Sequence, residues 1–194
     1  MSTRVSIDRK KEIIEGFYEL SKVNGIENTS IAKIGKHLGM PPSLIMHYFP
    51  TRDILISNLI SFILKRMLRI YTPIIKELRV QNYTDPVTFV DRLFSRDWNL
   101  LIDDGVFYGC FSLIFRNETI KREFRNLHLK LRENLKEILD QDEKLNQKDT
   151  ALLSEQIFVV VEGAYYYLSM IEDEEMYEDK VQIFKNQVYQ LLKP

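Results

Sequence analysis

The sequence predicts an all-α protein, and three observations carry that expectation. Apolar residues recur at three- and four-residue spacing along most of the chain, as one face of a helix requires. Glycine and proline are sparse, 7 and 6 in 194 residues, too few for a fold built from many turns. No segment alternates apolar and polar residues as a half-buried strand does, and the joints between periodic segments, such as DDG, QDEKLNQK and EDEEMYED, are polar and acidic.

Each element follows in order. Residues 9–24 place Ile13, Ile14, Phe17, Leu20 and Ser21 on one face, with Gly25 where a helix end favours a left-handed residue. Thr29-Ser30 supplies a hydroxyl cap for a short helix carrying Ile31, Ile34 and Leu38 and ending at Gly39. Pro42 suits the first position of a third helix, about 42–48, because its missing N–H has no intrahelical partner there. Thr51 caps a fourth helix that runs toward Pro73 with Leu55, Leu59, Phe62, Ile63 and Arg66 along one side. Further helices are expected over 87–103, 106–117, 118–141, 149–170 and 178–192.

Composition excludes several classes. At 45% hydrophobic and 28% charged residues the chain is globular rather than disordered. A single cysteine, Cys110, excludes a disulfide framework and a multi-thiolate zinc site; it reads as a small buried hydrophobe in a reducing compartment. The N-terminal stretch lacks the apolar core of a secretory signal, and GVFYGCFSLIF (105–115) is too short to span a bilayer, so the expectation is a cytoplasmic protein with no membrane partner. No phosphate-cradling glycine loop, metal-ligand spacing or nucleophile elbow occurs; no enzyme activity, metal or cofactor is expected. The acidic run at 172–179 reads as a solvated joint.

Net charge is −1, yet residues 1–76 carry 12 Lys/Arg against 6 Asp/Glu, while 77–194 carry 15 against 22. A basic front end on an acidic body predicts a localised contact with a polyanion. Two short helices joined by Gly39-Met40-Pro41, with longer helices before and after, have the pattern of a helix-turn-helix. Ile34, Leu38 and Ile45 can close its small core, and Arg4, Arg9, Lys10, Lys11, Lys33, Lys36 and Arg52 give it a basic setting for phosphate.

The run TSIAKIGKHLGMPPSLIMHYFPTRDIL within residues 10–58 resembles the DNA-binding segment of the TetR family of transcriptional regulators. Their pattern is a hydroxyl residue, Ile, two residues, Ile-Ala, three more, Gly-Val-Ser, a recognition helix ending Tyr-x-Tyr/His-Phe, then Ser-Lys-Glu-x-Leu. The resemblance implies a helix-turn-helix domain over 1–52 and a larger helical ligand-binding and dimerisation domain over 53–194. It implies that Ser30 meets a phosphate, that Pro42, Ser43, Leu44 and His47 reach base edges and nearby backbone, and that Tyr48 and Arg52 clamp phosphate on either side, with Lys33 in the basic surround. His47 can equally be a plain surface histidine, Tyr48 core, and Lys33 and Lys36 solvated charges. Two departures stand out: Pro41 replaces the usual capping serine, and Met46 replaces a tyrosine.

In the body, FVVVEGAYYYLSM (158–170) is apolar around most of its circumference and needs a second surface besides its own core. Gly163-Ala164 permits close helix approach and Phe184, Val188 and Leu191 form a stripe, so the last two helices are expected to make a homodimer interface. Such a dimer suits a palindromic duplex DNA operator. The central aromatics can simply be core; the resemblance adds an inducer cavity, here expected among Phe62, Trp98, Phe107, Phe111, Phe115, Phe158, Glu162 and Tyr165, with Arg96 or Asn99 as further orienting groups. The resulting expectation is a repressor released by a small, largely apolar or aromatic ligand. The alternative is a constitutive DNA-binding or interaction protein with no ligand.

Overall fold

The computed structural model describes residues 3–80, 86–96, 102–145 and 148–193, with side chains for 6–69, 86–96, 102–145 and 148–193. Among them every regular element is helical: α1 (Thr3–Asn24), α2 (Ile31–Leu38), α3 (Pro42–Tyr48), α4 (Arg52–Val80), α5 (Pro86–Leu93), α6 (Asp104–Ile114), α7 (Glu118–Leu139), a 3-10 turn (Glu143–Leu145), α8 (Thr150–Leu168) and α9 (Glu174–Leu192). The caps are those the sequence offers. Asp103, Asp149 and Asp173 each accept a backbone N–H at the start of α6, α8 and α9, satisfying donors the helix itself cannot.

Four boundaries differ by four residues or more from expectation, one being the start of α9, which takes in Glu174 to Tyr177 from the acidic run expected to be a joint. α1 begins at Thr3, ahead of residue 9. α4 continues through Pro73 to Val80; one lost backbone hydrogen bond is absorbed by a 29-residue helix where it would end a short one. The helix expected over 87–103 closes at Leu93, where Phe94 N–H bonds Val90 O and Ser95 N–H bonds Arg92 O.

The chain forms two compact units: Met1–Met67 with Asn99–Arg125, and Leu68–Trp98 with Asn126–Pro194. A cut at residue 52 follows the helix-turn-helix, whereas compactness groups α6 and the start of α7 with it. In the first unit α1 packs on α2 and α6, and α2 packs on α3. Ile13, Phe17, Ile34, Ile45, Phe49, Leu55 and Leu59 are essentially sealed from solvent, and burial of each such side chain is worth about 1.5–3 kcal/mol.

In the second unit α5, α7, α8 and α9 close a core of Phe89, Val90, Phe94, Leu135, Ile138, Leu139, Leu153, Ile157, Ala164, Leu168, Tyr177, Val181 and Val188. Tyr165 ties α8 to the end of α5: its hydroxyl donates toward the carbonyls of Leu93 (2.8 Å) and Ser95 (3.2 Å), and its ring stacks on Phe94.

Candidate nucleic-acid interface

The local build of the first unit begins at Ser30. Its extended backbone and its Oγ, which accepts Lys33 N–H at 3.2 Å, start α2. Gly39 ends α2 at φ 63, a left-handed conformation that a side chain would strain, and Met40 N–H closes back on Gly35 O at 2.8 Å. Pro41 then stands at the cap of α3 with no side-chain hydrogen bond, and Pro42 follows inside the helix.

A seven-residue helix is too short to persist alone. Ile45 and Phe49, at 0% and 1% exposure, pin it to the unit, while Leu44 and Tyr48 are half-buried beside them. Pro42, Ser43, Met46 and His47 are left on the exposed outer face. That face carries no permanent charge. The imidazole of His47 sits edge-on to Tyr48 at 5.2 Å.

The cations behave differently from a loose basic cloud. Arg9 pairs with Glu12 at 2.7 Å and Lys11 with Glu15 at 3.7 Å, each along α1. Lys33 donates its Nζ to Asn28 O at 2.9 Å. The guanidinium of Arg52, the residue expected to grip phosphate, is hydrogen-bonded to the loop before α2: Nη1 donates to Thr29 O (2.9 Å), and Nη2 to Ile26 O (2.7 Å) and Glu27 O (2.9 Å). Lys10 and Lys36 are exposed.

The expected ligand residues divide between the units. Phe62, Phe107 and Phe111 belong to the first, where Phe107, Tyr108, Phe111 and the buried Phe124 form a cluster with ring centroids 5.3–6.2 Å apart. Phe115 is not enclosed; at the end of α6 it is 87% exposed. Phe158, Glu162 and Tyr165 belong to the second, and Trp98 and Asn99 lie outside the described residues. Arg96 pairs with Glu174 and Glu178 and lies 4.0 Å over the Tyr177 ring.

Two groups in the second unit have their protonation shifted chiefly by burial. Burial lifts the half-buried Glu162 carboxyl to about 7. Burial also lowers His128, with nearby Arg132 adding to the effect; the imidazole packs 5.2 Å from the Phe158 ring, and Arg132, which pairs with Glu155, lies 5.9 Å from that ring. In the first unit burial pushes the Cys110 thiol up to about 12, and its Sγ–H donates to Val106 O, which makes it the inert core residue the sequence implies.

On α8, Leu152, Val159 and Tyr166 are each more than half exposed, and Gly163 opens onto empty space; the spacing puts all four on one helix face. On α9 the exposed apolar residues are Met176 and Ile183. Of the stripe expected to face a second copy, Val188 is wholly buried in the unit's own core, while Phe184 and Leu191 pack against that core and stay partly exposed.

Comparison with known proteins settles the class. The tetracyclin repressor-like C-terminal domain family matches residues 81–194, well over half the chain. The chain belongs to the TetR family. No curated protein matches it significantly in sequence. Among solved structures it is similar to a TetR transcription regulator from Haloarcula marismortui, with TM-score 0.77 at 17% identity over 95% of this chain and 96% of that one. It is also similar to a transcriptional regulator from Saccharomonospora viridis in complex with choline, with TM-score 0.72 at 13% identity over 94% and 96%. A transcriptional regulator from Pseudomonas aeruginosa aligns with TM-score 0.70 at 21% identity over 95% and 90%. These likenesses show the TetR fold, with an N-terminal helix-turn-helix and a helical body, and no helix among the described residues is long and apolar enough to cross a membrane.

Within the TetR frame, sequence reasoning overlooked two residues. Tyr18 accepts Asp103 N–H at 2.9 Å and packs its ring 5.8 Å from Phe62, with Arg66 and Lys22 over the ring at 5.5 and 5.6 Å, so it joins α1, α4 and α6. Its place on the apolar stripe of α1 was the available signal. Gly35 is the other: a methyl there would lie 2.6 Å from Met40 O, a contact no sequence pattern displays.

Proposed function

We propose that this TetR-family regulator works as a homodimer that lays α3 of each copy into successive major grooves of a palindromic operator and represses transcription until a small ligand releases it. The observation that carries the reading is α3 itself. Its exposed face, Pro42, Ser43, Met46 and His47, carries no permanent charge and is held rigidly by Ile45 and Phe49, which suits base edges and thymine methyls more than phosphate. Ser30, Tyr48 and the exposed Lys33 and Lys36 are the groups this reading assigns to the backbone. Leu44, half-buried, shapes the edge of the α3 face.

The exposed α8 stripe supports association of two copies, which would set the two recognition helices about 34–36 Å apart, one turn of duplex. The aromatic groups around Phe107 and Phe111 and around Phe158, Glu162 and Tyr165 support a small, largely apolar or aromatic ligand in the body. The choline held by the Saccharomonospora viridis relative is consistent with an organic molecule of that size. Release requires that the ligand prefer the conformation whose α3 helices no longer fit adjacent grooves, and DNA must weaken the ligand by the same factor.

Selection from random duplex DNA tests the reading: a palindrome with half-sites about one turn apart is expected. Enrichment of no sequence, or of a single half-site, overturns it. A palindrome whose affinity no small molecule changes leaves the constitutive alternative.

A further inference from the structure

The loop between α1 and α2 has an unusual hydrogen-bond economy. Five successive carbonyls, 25 to 29, are each claimed by a side chain. Thr29 Oγ1 donates to Gly25 O at 2.8 Å; Arg52 takes Ile26, Glu27 and Thr29; Lys33 takes Asn28. Thr29 is itself fully buried. A loop of this kind normally leaves its carbonyls to water. Here both hydrogens of Arg52 Nη2 and one of Nη1 are spent on it.

The position of Arg52 sharpens the point. It is the first residue of α4, where the positive end of the helix dipole disfavours a cation. Three carbonyl oxygens converging on a planar fork offset that cost, and the fork reaches three acceptors in a geometry that a single ammonium cannot reproduce. The very next residue after the bound loop is Ser30, whose hydroxyl starts α2, followed by Lys33 one turn on.

We propose that Arg52 is a positioning residue that clamps loop 26–29 to the head of α4 and thereby fixes Ser30 and the N-terminal turn of α2 against DNA, and that it does not itself hold a phosphate. The proposal rests on the DNA-binding reading for its consequence, though the clamp exists without DNA.

The full-length protein, Arg52→Ala and Arg52→Lys are compared in two measurements: amide hydrogen exchange across 25–33 in the absence of DNA, and affinity for a random-sequence duplex at several salt concentrations. Exchange at 25–33 accelerates in both variants. Affinity falls by about tenfold, the worth of one charge-assisted hydrogen bond, while the slope of log K against log salt stays unchanged. Lysine, which keeps the charge, does not restore tight binding; because it also keeps the side-chain stem, it carries the test alone if the alanine variant does not fold. Unchanged exchange, or a slope that falls by about one with alanine and is rescued by lysine, overturns the clamp and makes Arg52 a phosphate contact. Wild-type protein that binds no duplex refutes the DNA reading, and exchange still decides the clamp.

Discussion

Replacing Gly35 with alanine sets two effects of opposite sign against each other. In the middle of α2, alanine is the better helix former by about 1 kcal/mol. Against this, the new methyl would sit 2.6 Å from Met40 O, well inside contact distance, and the atom it meets is backbone rather than the end of a flexible side chain. Nor can the turn open freely, since Met40 N–H is hydrogen-bonded to Gly35 O at 2.8 Å and Pro42 and Pro41 stiffen the chain beyond it. Relief must push α3 away from α2 and loosen Ile45, whose Cδ1 is already 3.6 Å from the methyl position.

Overpacking of this kind costs about 1–3 kcal/mol, so the steric term outweighs propensity and leaves a net loss of up to about 2 kcal/mol. For a chain of this size that is a fall of several degrees, roughly 2–4 °C per kcal/mol, in the melting midpoint. Differential scanning fluorimetry and a urea titration read it directly, and DNA affinity should fall on all sequences alike because α3 as a whole is displaced. The family pattern has alanine at this place, so an argument from consensus expects the midpoint to rise. An unchanged or higher midpoint for Gly35→Ala refutes the steric reasoning.

Three further outcomes are expected. Because burial raises Glu162 from its ordinary 4.5 to about 7, the folded state holds a proton the unfolded state releases; the resulting stabilisation is complete below pH 4.5 and is lost as pH rises through 7. Unfolding free energies of the wild type from urea titrations should therefore drop relative to Glu162→Gln across that window, by about 3 kcal/mol at most, and parallel pH profiles contradict the shift. Cys110, with its thiol near 12 and no solvent exposure, should ignore Ellman's reagent at pH 8 until the protein is denatured; rapid native labelling would show it accessible. Val159→Arg, at the centre of the exposed α8 stripe, should shift sedimentation from dimer to monomer while leaving the melting curve of each unit in place, and a dimer that survives moves the interface elsewhere.

Much of the architecture was legible because it depends on local chemistry. Ser30 and Gly39 bracket α2 by a cap and a left-handed glycine, Pro42 and Pro50 bracket α3, and Ile34 and Ile45 mark the faces that turn inward. Pro41 was recognised as a helix start without a capping oxygen, and the structure shows that cap unmade. What misled was periodicity without context. Phe184, Val188 and Leu191 do form a stripe on α9, yet a stripe says only that a face meets something, and the unit's own core takes Val188 outright while Phe184 and Leu191 stay partly exposed. The same limit applies to Phe115: its apolar neighbours suggest enclosure, but it falls just past the last turn of α6 and points to solvent.

The sequence by itself determined that this chain is helical, that a short uncharged helix stands between prolines in a basic region, and that its pattern is that of the TetR family, because helix propensity, capping and spacing act over a few neighbouring residues. Only the tertiary structure decided what the charges do. A guanidinium 23 to 26 residues from its acceptors has no local signal to say whether it meets phosphate, an acid or a carbonyl; that depends on which oxygens the fold brings within about 3 Å. Here the fold brings the carbonyls of Ile26, Glu27 and Thr29 to Arg52, and a residue that composition counts only as a charge is hydrogen-bonded to the loop before α2.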